Sequence, residues 1–148
     1  MYYPKPGDQL IRVLATGTFD LLHPGHVYFL TQARALGDEL FVIVARDLNV
    51  THKPKPIVPE EQRLEMVNAL RVVDRAILGS ETDMFEPLEQ IRPDIITLGY
   101  DQNFDINFLE KELTKRELPA KVVRIRFSKE CSFCSTGAII KEVLKRYG

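Results

Sequence analysis

Thr16-Gly17-Thr18-Phe19-Asp20-Leu21-Leu22-His23-Pro24-Gly25-His26 decides how the rest of the chain is read. It follows an apolar run, residues 10–15, and precedes an amphipathic run, residues 27–36. Strand, glycine-bearing turn and helix are therefore expected in succession. Pro24 suits the first helical turn, where its missing N–H costs nothing. Free backbone N–H groups at a helix start favour anions, which makes the turn a natural phosphate site. His23 and His26 lie on one side of a single helical turn, where their imidazoles add donors that can follow a phosphate as its charge moves. The bland alternative is one histidine capping the helix and the other on the surface. His-Pro-Gly-His straight after a strand and a Gly-Thr turn favours a site for a nucleoside triphosphate, with the second substrate held by the rest of the chain.

Outward from this stretch the pattern repeats. Residues 40–45, Leu-Phe-Val-Ile-Val-Ala, are apolar throughout, as in a strand covered on both faces. Further strands are expected at 75–78, 94–98 and 121–126, and helices from Pro59, at 84–91, at 106–116 and at 135–147. Strand–helix alternation predicts an α/β, Rossmann-like, doubly wound sheet of about five parallel strands with helices on both faces. In such sheets ligands bind beyond the carboxyl ends of the strands, so the segments after each strand are the ones to inspect. The longest irregular stretch, 46–58, contains Lys53-Pro54-Lys55-Pro56, which cannot be regular helix.

With 148 residues the chain fits one domain, 1–148, with 1–9 as an N-terminal extension. A formal net charge of -1 argues against a general nucleic-acid binder. No apolar run approaches a membrane span and no secretory signal is read, so a cytoplasmic protein is expected. The only cysteines, Cys131 and Cys134, do not make a disulfide framework. The Gly-x-Gly-x-x-Gly fingerprint and the Walker A lysine motif are both missing, which sets ordinary dinucleotide-binding and P-loop readings aside. A zinc site on the two histidines lacks a third ligand nearby in sequence, and a mixed site with the cysteines is the weaker reading.

Thr18-Phe19-Asp20 with His23-Pro24-Gly25-His26 resembles the first signature of the nucleotidyltransferase superfamily that shares a His-x-Gly-His motif with class I aminoacyl-tRNA synthetases. The resemblance extends through Pro59-Glu60-Glu61-Gln62-Arg63, Val73-Asp74-Arg75 and Leu98-Gly99-Tyr100-Asp101-Gln102, nearly the whole chain. It is nearest to archaeal FAD synthases, through Val44-Ala45-Arg46-Asp47, the Gly99-x-Asp101-Gln102 turn with Phe104-Asp105, and a late cysteine before a Ser/Thr helix start. The resemblance implies transfer of AMP from ATP to FMN, giving FAD and pyrophosphate by direct in-line displacement, with Mg²⁺ accompanying the triphosphate. CTP is the alternative donor and a small phosphate such as glycerol 3-phosphate the alternative acceptor. A non-catalytic nucleotide- or flavin-binding module is the reading from another class. Relatives suggest a homodimer, with neither nucleic acid nor membrane as partner.

The same resemblance assigns roles. His23 and His26 would contact the phosphates and stabilise the transition state, with Pro24 and Gly25 in the binding stretch. Thr18 and Phe19 would meet the α-phosphate region through backbone groups. Asp101 would hold the ribose. Ser128, Ser135 and Thr136 belong to the late nucleotide-binding segment, where the last two open a helix that could receive the β- and γ-phosphates or simply be capped. Lys53, Lys55, Arg63 and Arg126 are candidates for phosphate or acceptor contacts; Arg63 competes with an ordinary helix-surface role. Metal ligands from protein side chains are not assigned. Residues 126–137 are longer than the Arg-Thr-x-Gly-Ile-Ser-Thr-Thr of cytidylyltransferases and carry Gly137 at the second Thr, which shifts weight towards FAD synthesis. For Cys131 and Cys134 packing or incidental proximity ranks first and a redox-sensitive thiol pair second, with a metal pair as the third reading. Phe19, Phe104, Phe127 and Phe133 lie beyond strand ends, where an apolar slot for a flavin could form.

Overall fold

In a computed structural model, which describes residues 3–5, 10–51, 54–99, 102–126 and 128–148, five parallel strands form one sheet. They are β1 (Arg12–Gly17), β2 (Glu39–Val44), β3 (Arg75–Leu78), β4 (Ile95–Leu98) and β5 (Lys121–Arg124). The helices between and after them are α1 (Pro24–Arg34), α2 (Glu60–Asn68), α3 (Glu86–Ile91), α4 (Ile106–Lys115) and α5 (Thr136–Tyr147). The strand order is β3-β2-β1-β4-β5, all pairs parallel, so the Rossmann-like expectation holds. Element ends lie within three residues of their sequence positions, and β3 matches at both ends; the described residues of 46–58 include a short 3-10 turn, Asp47–Asn49.

Two apolar layers explain why the strands read as unbroken hydrophobic runs. Val13, Ala15, Leu40, Val42 and Val44 face Leu30 and Ala33 of α1 and Val67 of α2. The alternate residues Leu14, Phe41, Ile43, Ile96 and Leu98 face Leu88 and Ile91 of α3 and Leu109 and Leu113 of α4. β1, β2 and β4 are thus covered on both faces, and period-2 alternation disappears from their sequence. The edge strand β3 is covered by Asn68 at the end of α2, whose carboxamide pairs with both the N–H and the carbonyl of Ala76.

β1 and β4 are neighbours in space, although β1 is followed in sequence by α1 and β2. The chain leaves β1 towards one edge and later leaves β4 towards the other. That reversal opens a crevice at their carboxyl ends, which is where an open α/β sheet binds ligands. Among the described residues no helix is long and apolar enough to cross a membrane.

Candidate active site

The turn after β1 is built around Phe19. Its side chain is buried and its backbone is left-handed, φ 55°. That conformation is costly for a bulky residue and is maintained here by the packing of its ring. A Cβ on Gly17 would stand 2.8 Å from that ring. Gly17 is therefore required by close approach of Phe19, since no glycine in the described chain has positive φ. The Phe19 ring also meets His26, centroids 5.4 Å apart. Phe19 is consequently a support beneath the site, not a wall of a flavin slot.

His23 and His26 form a reciprocal cap at the start of α1. His23 Nδ1 accepts the Gly25 N–H at 3.0 Å, and His26 Nδ1 accepts the His23 N–H at 3.3 Å. The rings stack with centroids 3.8 Å apart and planes at 28°. With Nδ1 accepting, a neutral imidazole carries its proton on Nε2. Burial pushes the His23 imidazole below its usual value of 6.5, which keeps it neutral.

This geometry corrects the expectation of free main-chain donors at α1. Pro24 has no N–H, the Gly25 N–H goes to His23 Nδ1, and the N–H groups of His26 and Val27 go to the His23 carbonyl at 3.1 and 3.4 Å. The imidazole Nδ1 of His23 and the His23 carbonyl thus take the donors that an anion would otherwise find.

Gly25 also admits the last helix to the site. A Cβ there would lie 2.8 Å from the Cys134 carbonyl and 2.8 Å from the His23 ring. Thr136 Oγ1 donates to the Leu21 carbonyl at 3.5 Å. The starts of α1 and α5 are thus joined. Ser135 caps α5, its Oγ accepting from the Ala138 N–H at 3.1 Å, which leaves its hydroxyl proton to donate. Ser128 and Arg126 are exposed in the segment leading there.

Cys131 and Cys134 are joined in a disulfide, with Cα atoms 5.2 Å apart, and Cys131 is exposed. This overturns the packing reading. A three-residue separation lets a tight turn close the bridge without an apolar environment. It also removes both sulfurs from any mixed site with the histidines.

Arg63 departs from both of its expected placements. Its side chain is fully buried, neither on the helix surface nor towards the cleft. Nε donates to the Val58 carbonyl at 2.9 Å, Nη1 to the Thr18 carbonyl at 2.6 Å, and Nη2 to Asp47 Oδ1 at 2.6 Å. The guanidinium ties the 46–58 stretch and α2 to the turn after β1, a supporting position in place of a phosphate contact. Asp20 does the same from the other side, its two carboxylate oxygens accepting the Ile57 and Val58 N–H groups at 2.9 Å each. Lys55 is exposed and donates to the Asp47 carbonyl at 3.1 Å. Lys53, Asp101 and Phe127 lie outside the described residues.

Sequence reasoning assigned no role to Asp20, Gln102 or Arg124. A charge closing a strand, as Arg124 does after Val122-Val123, was the available signal. Gln102 Oε1 accepts the Gly99 N–H at 2.7 Å, and Arg124 donates to three carbonyls of the same loop.

A cavity of about 340 Å³ lies elsewhere, beside Tyr3, Lys5, Arg12, Arg92, Asp94 and Leu118. Three of its charged side chains are engaged by the fold. Lys5 pairs with Asp94, and the buried Arg12 binds Glu39 and the carbonyls of Tyr3, Pro4 and Ile91. This is a structural tie at the amino ends of β1 and β4.

The Cytidylyltransferase-like family model matches residues 14–142, which include His23, His26, the first four helices and the first half of α5. The chain belongs to that family. It is 83% identical over 146 residues to the FAD synthase of Methanosarcina acetivorans, covering 99% of this chain and 97% of that protein. The FAD synthase of Methanococcoides burtonii is 64% identical over 139 residues, covering 94% of this chain and 97% of the relative. Among solved structures, a lipopolysaccharide core biosynthesis protein from Thermoplasma volcanium superposes with TM-score 0.79 at 48% identity, over 82% of this chain and 99% of its own. A pantoate-beta-alanine ligase from Francisella tularensis reaches TM-score 0.60 at 14% identity, over 91% of this chain and 66% of its own, a likeness of fold alone.

Proposed function

We infer that the protein is an FAD synthase: a nucleotidyltransferase that moves AMP from ATP to the phosphate of FMN and releases pyrophosphate. The observation that carries the chemistry is the stacked pair His23 and His26, each Nδ1 held by a main-chain N–H. The FMN phosphate oxygen attacks the α-phosphorus in line with the leaving pyrophosphate. One P–O bond forms as the other breaks, and no enzyme nucleophile is needed. The Nε2–H groups donate to phosphoryl oxygens whose charge grows in the transition state. Donors fixed in advance cost no reorganisation at that moment.

In this reading Thr18 and the Phe19 backbone line the α-phosphate, with Pro24 and Gly25 shaping the path past the imidazoles. Asp101 holds the ribose hydroxyls. Ser128, Ser135 and Thr136 receive the β- and γ-phosphates at the start of α5, helped by Lys53, Lys55 and Arg126. Among the described residues no three His, Cys, Asp or Glu side chains cluster as a metal cage. Mg²⁺ would accompany the triphosphate, held by its oxygens and by water, and would neutralise charge there. The exposed Phe104 and Phe133 remain the aromatic candidates for the isoalloxazine.

The enzyme is proposed to act in the cytoplasm as a homodimer. Helix α5 has no buried residue and exposes Val143, Leu144 and Tyr147, which makes it the face to test by light scattering of wild type against Leu144→Glu. The deciding experiment for function incubates purified protein with FMN, Mg²⁺ and either ATP or CTP. FAD and pyrophosphate from ATP are expected. Turnover only with CTP and glycerol 3-phosphate would replace this reading with cytidylyl transfer; nucleotide binding without turnover on any acceptor would leave a binding module.

A further inference from the structure

The turn after β4 is held from a neighbouring strand. Arg124, the last residue of β5, donates through Nη1 to the carbonyls of Gly99 at 3.0 Å and Gln102 at 2.6 Å, and through Nη2 to Phe104 at 3.2 Å. Gln102 closes the turn from within. Its N–H donates to the Gly99 carbonyl at 3.2 Å and its Oε1 accepts the Gly99 N–H at 2.7 Å. Its Nε2 reaches across to the Thr16 carbonyl at 3.4 Å and Thr16 Oγ1 at 3.5 Å. Thr16 pairs with β2 two residues before Thr18. One guanidinium and one carboxamide therefore fix the described backbone of 99–104 against the end of β1, at the crevice where β1 and β4 diverge.

We propose that Arg124 and Gln102 are positioning residues that hold Gly99 and residues 102–104, after β4, at the nucleotide-binding wall of the cleft. The inference rests on the nucleotidyl-transfer reading above. A planar guanidinium can satisfy three carbonyls at once, whereas an ammonium holds its donors on a single rotating point. With those carbonyls engaged, Gly99, Gln102 and Phe104 are held before the nucleotide arrives, so the cost of fixing them is not subtracted from affinity. Neither side chain touches the reacting phosphate groups in this role. Their loss falls on nucleotide binding, equally in ground and transition states, and leaves the chemical step alone.

The test titrates Mg²⁺ with a non-hydrolysable ATP analogue calorimetrically into wild type, Arg124→Met, Arg124→Lys and Gln102→Ala, alongside steady-state FAD synthesis. Arg124→Met is expected to weaken the analogue and raise the KM for ATP about tenfold, the scale of one lost charged hydrogen bond. The KM for FMN and kcat stay within about threefold, and Arg124→Lys falls between. Unchanged analogue affinity with a lowered melting temperature would overturn the proposal, as would a loss confined to kcat. If Arg124→Met does not fold, Gln102→Ala decides: weakened analogue binding at unchanged kcat supports the role, and unchanged binding ends it. A wild type that makes no FAD, with Arg124→Met still losing the analogue, would sink the acceptor reading and keep this one.

Discussion

The imidazoles of His23 and His26 stack 3.8 Å apart, and the Nδ1 of each accepts a main-chain N–H. One nitrogen per ring holds the helix start, and the transfer chemistry proposed above falls to the other. The two duties separate by substitution. Asn places its side-chain oxygen near the Nδ1 position and has nothing at Nε2. His26→Asn is therefore expected to keep the cap and the fold while kcat drops about 10²- to 10³-fold, the usual loss for one transition-state donor. Circular dichroism melting and steady-state FAD synthesis check the pair of outcomes. A fall in stability that matches the loss of activity would make His26 a cap only.

The lowered His23 pKa has a definite sign. The unfolded chain protonates near 6.5 and the folded chain only below that, so His23 contributes stability fully above 6.5 and loses it as pH falls through the depressed folded value. Wild type should lose stability on acidification below 6.5 more steeply than His23→Asn, measured by urea melts at stepped pH. Asp94 acts at lower pH. Desolvation pushes its carboxyl up, but the Arg12 N–H, the Lys5 ammonium and the Arg12 charge together hold it below 3.8. Its contribution is present above 3.8 and disappears below, so Asp94→Asn should flatten the acid limb there.

Two glycines at helix starts should respond in opposite ways to the same substitution. Gly137→Ala places a methyl in open space on an exposed turn of α5 and should stabilise by about 0.5–1 kcal/mol, the helix propensity gained. Gly25→Ala drives a Cβ to 2.8 Å from both the Cys134 carbonyl and the His23 ring. It should cost more than that gain and reduce kcat strongly, because the ring that must turn aside is the one proposed to meet the phosphates. Thermal melts and turnover of both variants test this; an active, stabilised Gly25→Ala would refute the close approach.

Asp20 and Arg63 should prove to be supports with different weights. Asp20→Ala leaves the N–H groups of Ile57 and Val58 without an acceptor and should cost about 1–2 kcal/mol, because this segment can turn to water. Protease cleavage within 51–58 should quicken accordingly. Arg63→Met removes donors from two carbonyls and Asp47 at a fully buried position, and about 2–4 kcal/mol is expected. A Arg63→Met variant as stable as wild type but weak in ATP binding would return Arg63 to the phosphate.

Much of the architecture was legible along the chain. The apolar strands, Pro24 at the first turn of α1, and the acids opening α2 are local signals acting through propensity and periodicity. Roles that depend on what a side chain meets in space were not. Arg63 reads as a surface residue of a polar helix and is the reverse, because Thr18, Asp47 and Val58 converge on it from other segments. Arg124 and Gln102 lie 22 residues apart and meet only because β4 and β5 pair.

The parallel sheet, with a glycine-bearing turn and a proline-started helix after its first strand, is written within short windows of the chain, as strand–helix alternation, apolar runs and the His-Pro-Gly-His stretch. Only the tertiary structure decided how that turn works. Phe19 is forced left-handed by packing, the free donors of α1 are taken by the Nδ1 and the carbonyl of His23, and α5 is seated against Gly25. Each is a contact between segments that the sheet brings together, and such contacts leave no periodicity to read.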